Sequence, residues 1–170
     1  MKIVCVCGGS YKSFYLNCFV KLKKCNLLLF NFGLFYDYVV GDELLKTGVV
    51  TKELLMLARQ LNAYVVAGTY MVANGVRKKV VIVCDGDKVE IVEAQNGAVI
   101  NLKGTLFCVG DEKVRCTKFN KIILSSNRIK PKLNHCIKQR TYIFMDDYGT
   151  TLVKNKNLTR KSQKISIFKI

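Results

Sequence analysis

This 170-residue chain has one histidine, His135, no Cys-x-x-Cys pair, and no glutamate before Glu43. Each absence closes a route to function. Cys5-x-Cys7 puts two sulfurs on one face of a strand, but no second Cys/His cluster completes a tetrahedral metal site, and His135 has only Cys136 beside it. Neither a metal nor a cofactor is expected. No apolar run approaches the ~18 residues that a membrane span takes, and the apolar part of MKIVCVCGGS is too short for a signal-peptide core. A cytoplasmic protein with no membrane partner is the expectation. No segment repeats. Acids are scarce, with 12 Asp or Glu against 28 Lys or Arg and a net charge of +16.

Half of the residues are apolar, and a chain of this length buries roughly two thirds of its unfolded surface in one core. We therefore expect a single shortened domain over residues 1–170, with residues 154–170 as a basic extension that carries an edge strand. The eight cysteines lie inside apolar runs, as with Cys5, Cys7, Cys84 and Cys108, or on a predicted helix, as with Cys18 and Cys25. Reduced thiols fit that placement better than a disulfide framework. Residues 113–170 hold 15 Lys or Arg and 2 acids, so +13 of the net charge falls in the last third. Such a field attracts phosphates, and Tyr142, Phe144 and Tyr148 among the cations offer stacking surfaces for a single strand of nucleic acid. Against this, the cations are scattered, Tyr142 and Phe144 alternate within an apolar strand pattern, and no RNP1-type signature is present.

Periodicity supplies the fold class. Leu54, Leu57, Ala58 and Leu61 recur at helical spacing, with Thr51 placed to N-cap the helix and Asn62 to end it in a left-handed conformation. A strand over 63–73 follows, then the hairpin turn Asn74-Gly75, a return strand over 78–84, the turn Asp85-Gly86 and a strand over 89–92. Further strands are predicted over 2–7, 26–30, 105–109, 121–126, 142–146 and 165–170. Turns fall at Asn96-Gly97 and Lys103-Gly104, and a helix over 13–24. Shorter helical stretches are expected at 42–46, 111–119 and 133–140, and the tail over 155–164 reads as polar. Strands alternating with helices, with hairpins between, indicate an α/β layered sandwich with a mixed sheet.

The segment ELLMLARQLNAYVVAGTY, the Asn-Gly turn, the strand KKVVIVCDGD and the later GTLFC together resemble the nitrilase superfamily of carbon–nitrogen hydrolases. LLLFNFGLF over 27–35 is similar to the strand that carries that family's catalytic glutamate. FNKIILSSN over 119–127 is similar to the strand after its cysteine, and residues 134–149 to the helix and strand that follow. The resemblance implies α-β-β-α layering when dimerised, a homodimer, and a small amide or nitrile substrate. It also implies three catalytic side chains: a cysteine thiolate that attacks carbon, a glutamate that moves protons, and a lysine that stabilises the oxyanion.

Cys108 matches the nucleophile. Where the family has a Pro-Glu pair, this chain has Asn31 and Phe32, and neither is a base; Asp37 lies five residues further on. Only 21 positions separate Asp87 from Cys108, too few for the family's lysine-bearing segment, so Lys103 and Lys88 are weak candidates for the cation. The acid after the nucleophile comes one residue late, at Asp111. A cysteine near pKa ~8.5 is only a few per cent thiolate at neutral pH. Losing acid–base assistance removes ~10² to 10⁴ in rate, and losing the oxyanion cation a further ~10² or more. The reading is a degenerate carbon–nitrogen hydrolase domain that is catalytically impaired and acts through assembly, with Cys108 a small core residue. Two alternatives stand beside it: a residual thiol amidase using Cys108, and a basic nucleic-acid-binding module.

Overall fold

The computed structural model describes residues 1–7, 24–31, 40–41, 48–95, 97–110, 121–125, 140–146, 148–155, 157–163 and 165–170. Its strands are β1 (Lys2–Val6), β2 (Leu27–Phe30), β3 (Val40–Gly41), β4 (Tyr64–Ala73), β5 (Val76–Cys84), β6 (Val89–Glu93) and β7 (Ala98–Leu102). They continue as β8 (Thr105–Gly110), β9 (Lys121–Ser125), β10 (Thr141–Asp146), β11 (Gly149–Lys154), β12 (Asn157–Lys161) and β13 (Ile165–Lys169). One helix, α1 (Val49–Leu61), is described. The helices predicted over 13–24, 42–46, 111–119 and 133–140 fall wholly or almost wholly outside the described residues. No helix among those described is long and apolar enough to cross a membrane.

Two mixed sheets share one plan. The first runs β13-β1-β2-β4-β5-β6, with β3 also on β4, and the second runs β12-β11-β10-β9-β8-β7. In each, a parallel middle (β1, β2 and β4; β8, β9 and β10) is flanked by antiparallel partners. Alternation along the strands then sorts the core into two layers. Ile3, Leu27, Leu29, Val66, Val81 and Val83 of the first sheet pack with Ile100, Phe107, Val109, Ile123, Ile143 and Met145 of the second. On the other face of the first sheet, Val4, Leu28, Phe30, Val65, Val80 and Ile82 meet Leu54, Leu57, Ala58 and Leu61 of α1. Burial on both faces explains why β1 and β2 are continuous apolar runs rather than alternating ones. The β–β stacking lies within a single chain, so it does not depend on dimerisation.

Local chemistry accounts for the turns. Asn62 closes α1 at φ 48°, and the Ala63 amide donates to the Ala58 carbonyl at 3.1 Å. Asn74-Gly75 and Lys103-Gly104 both carry positive φ, as a two-residue type I′ hairpin requires. Helix α1 starts two residues before the expected cap. Gly48 takes the N-cap without a side-chain bond, and Thr51 is buried inside the first turn.

Four strands were not expected, the shortest being the two-residue β3 in a stretch that reads as loop. β7 is a five-residue strand between two turns, with an inward–outward alternation that includes the exposed Val99. β11 and β12 form a hairpin around Asn155 (φ 52°): β11 lies in an unassigned stretch, and β12 where a polar tail was predicted. Within residues 154–170, β12 pairs with β11 in the second sheet, and β13 pairs with β1 as an end strand of the first.

Candidate active site

In α/β sheets, functional groups collect beyond the carboxyl ends of the parallel strands. Here those ends lie on one side of the sandwich. Cys7, just past β1, places its Sγ 3.2 Å from the Gly149 carbonyl and 3.1 Å from the Thr150 hydroxyl, at the turn leaving β10. Cys5 lies on the same inter-sheet face two residues earlier, as Cys5-x-Cys7 spacing on a strand requires. Burial pushes the Cys5 thiol far above its ordinary range, and the neighbouring Cys7 adds to this; the Thr150 hydrogen bond and the Lys161 ammonium oppose it. Both sulfurs are fully buried, and among the described residues no three of His, Cys, Asp and Glu converge. This seam joins the sheets, and its sulfurs are inaccessible to solvent.

Asn31 follows β2 directly. Its amide donates to the Val6 carbonyl at 3.0 Å, prolonging the β1–β2 ladder by one residue, and its side chain is fully buried. Leu27 and Leu29 face the second sheet, so the same alternation turns Asn31 that way. Phe32 lies outside the described residues.

Cys108 sits elsewhere. It pairs with Val99 and Ile122 in the middle of β8, two residues before the strand ends at Gly110. Phe107 and Val109 on either side belong to the inter-sheet core, so Cys108 projects from the opposite, outer face of the second sheet. It is buried and disulfide-bonded, whereas Cys5, Cys7, Cys25 and Cys84 are free. For Cys108 this corrects the expectation of a reduced thiol. An apolar setting excludes water, not cross-linking.

Lys103 occupies the β7–β8 turn, exposed, at the end of β8 remote from Gly110. Five residues of strand, ~16 Å, separate it from Cys108, well beyond the reach of a lysine. Lys88 is exposed at the start of β6. The structure thus brings none of Asn31, Cys108 and Lys103 together.

Two ammonium groups that the sequence reading passed over do enter the sandwich. Lys121 lies 5.5 Å from the Phe107 ring centroid, and Lys161 lies 4.9 Å from that of Phe168. Only their alternation within a strand could have marked them. Tyr142 and Phe144 stack on each other at 5.9 Å and are buried, which leaves Tyr148 as the exposed ring of the three.

Comparison with solved structures decides the architecture. An amidase from Nesterenkonia sp. superposes with a TM-score of 0.67 at 10% identity, covering 98% of this chain and 88% of its own. XC1258 from Xanthomonas campestris, a CN-hydrolase superfamily protein with an arsenic adduct in its active site, gives 0.69 at 9% identity, covering 99% and 89%. The chain carries the nitrilase-superfamily fold. A variant of the Nesterenkonia amidase bearing an acetamide moiety on its active-site cysteine gives 0.68 at 11% identity, covering 98% and 88%. No protein-family model matches the sequence, and no curated protein does either. The nitrilase-like sandwich is thus reached through shape at an identity where residues have diverged almost completely.

Proposed function

We propose that this chain is a catalytically impaired carbon–nitrogen hydrolase that acts through assembly, as a homodimer, rather than by hydrolysing amides or nitriles. One observation supports it above the others. The residue at the end of β2 is a buried amide, Asn31, turned toward the inter-sheet space, while Cys108 projects from the far face of the second sheet with its sulfur already bonded. A thiolate attack needs a free sulfur within hydrogen-bond reach of a base. Neither condition is met by these residues.

The reading is tested by ammonia release from acetamide, butyramide and propionitrile, using chain held in a dithiol reductant so that every cysteine is available. Turnover should not exceed that of a Cys108→Ala variant. Ammonia release that depends on Cys108 would overturn the impairment. Light scattering tests assembly separately, with a mass of twice the monomer expected and a monomer at tens of micromolar contradicting it.

A further inference from the structure

Among the described residues β13 is one of the two end strands of the first sheet, and its parity can be read from hydrogen bonds. Met1 and Ile170 exchange both backbone bonds, at 2.6 and 3.0 Å. Antiparallel ladders alternate bonded and non-bonded pairs, so Ile3–Phe168 and Cys5–Ser166 are bonded, and Lys2–Lys169, Val4–Ile167 and Val6–Ile165 are not. β1 agrees from its other side, where the carbonyls of Lys2 and Val6 accept from Asn26 and Asn31 of the β2 segment. The amides and carbonyls of Ile165, Ile167 and Lys169 therefore point out of the sheet. Such a row is a template for another strand.

One of those groups is taken. Lys161, the last residue of β12 in the other sheet, donates its ammonium to the Ile167 carbonyl and rests over the Phe168 ring. Ile167 is the middle residue of β13, so the bond lies at the centre of the row. A second β13 approaching antiparallel about Ile167 would be related by a twofold axis, the arrangement that closes an isologous pair. It would need that carbonyl, and it would bring two lysine ammonium groups together in the contact.

We propose that Lys161 guards this edge: its ammonium holds the central outward carbonyl of β13 and keeps a second copy of the chain from pairing there. The device is independent of the catalytic reading and concerns a different sheet from Cys108. It joins β12 and β13, end strands of the two sheets among the described residues, at the place where the chain passes from one sheet to the other.

Lys161→Met keeps the apolar stem over Phe168 and removes the donor. Its weight-average mass by light scattering should rise with concentration to at least twice the wild-type value, while Lys161→Arg should match wild type. Adding Ile167→Pro to Lys161→Met should return the mass to the wild-type value, because an outward-facing amide carries no bond to β1, so proline there leaves the β1–β13 ladder intact, though it gives up the Ile167 packing, and blocks a new strand. A folded Lys161→Met whose mass equals that of wild type at every concentration overturns the proposal. Hydrogen exchange of the wild-type chain tests it even if that variant fails to fold. The amides of Ile165, Ile167 and Lys169 should exchange fast while those of Ser166 and Phe168 are protected, and equal protection of all five would show an edge already paired.

Discussion

The Asn31 amide donates to the Val6 carbonyl over 3.0 Å, and this bond fixes what the end of β2 can hold. It keeps Asn31 in register with β1, fully buried, at the point where resemblance to the nitrilase superfamily leads one to look for an acid. An ionised base at a fully buried position loses its hydration. Asn31→Asp tests this. In a dry setting the new carboxyl has a raised folded-state pKa, so no penalty exists below the unfolded value of ~3.9 and the penalty grows as pH rises above it. The variant should unfold close to wild type at pH 4 and about 3 kcal/mol less stable at pH 7 by urea titration. Equal stability at pH 7 would mean that this position accepts an ionised acid.

Gly149 shows how closely the start of β11 approaches the end of its neighbour β12. A Cβ built there would lie 2.3 Å from the Lys161 carbonyl oxygen and 2.9 Å from the Ser162 Cα, both backbone atoms. Neither can rotate aside. Gly149→Ala should cost about 2–4 kcal/mol, seen as a fall in Tm of roughly 5–15 °C for a domain of this size. A change under 2 °C would show that the contact between β11 and the end of β12 is looser than described.

The free thiols supply a pH dependence. Burial pushes Cys84 up to about 12, with the Asp85 carboxylate adding to the effect, and raises Cys5 and Cys25 by desolvation as well. Acids whose folded pKa is raised support the fold below their unfolded pKa, ~8.5, and that support is lost as pH rises toward the folded value. Stability should therefore decline from about pH 8.5 toward 12 as the folded chain holds the Cys84 proton, by up to about 1.4 kcal/mol per pH unit for that thiol. Cys84→Ala should flatten the decline by one such slope. A wild-type profile level through pH 11 would contradict the burial of these sulfurs.

Lys103 tests the site from the opposite direction. Its φ of 51° is a left-handed position that Asn adopts more readily than Lys. Lys103→Asn should leave thermal stability unchanged or raised by a degree or two, and should not alter the alkylation rate of Cys108 in reduced chain. A slower alkylation would bring an ammonium back toward the sulfur.

Much of the sandwich was legible because its local signals agree. In the stretch from α1 to β6, a helical stripe, an αL Asn and two turns with Gly at the positive-φ positions all point to one arrangement. β11, β12 and β7 were missed for different reasons. In β11 the buried Thr150 and Thr151 are polar and owe their burial to neighbouring structure, a fact that no window of a few residues contains; β12 is exposed along most of its length, and β7 alternates Ala98, Ile100 and Leu102 inward over only five residues. The site was less legible. Cys108 was found from the pattern of glycine and apolar residues before it, but the face it occupies depends on whether Phe107 or Cys108 points inward, which only the packing of the second sheet settles. A one-residue slip exchanges the two faces of a strand, so the nucleophile of a pattern match and the nucleophile of a pocket need not coincide.

The most direct test is the reaction of Cys108 with an electrophilic amide. Reduced chain is incubated with fluoroacetamide or acrylamide, and adducts are located by peptide mass. The account predicts that Cys108 in the folded chain reacts no faster than in chain unfolded in urea at the same pH. Stoichiometric labelling of Cys108 in folded chain, ahead of all other cysteines, would show an activated nucleophile and contradict it.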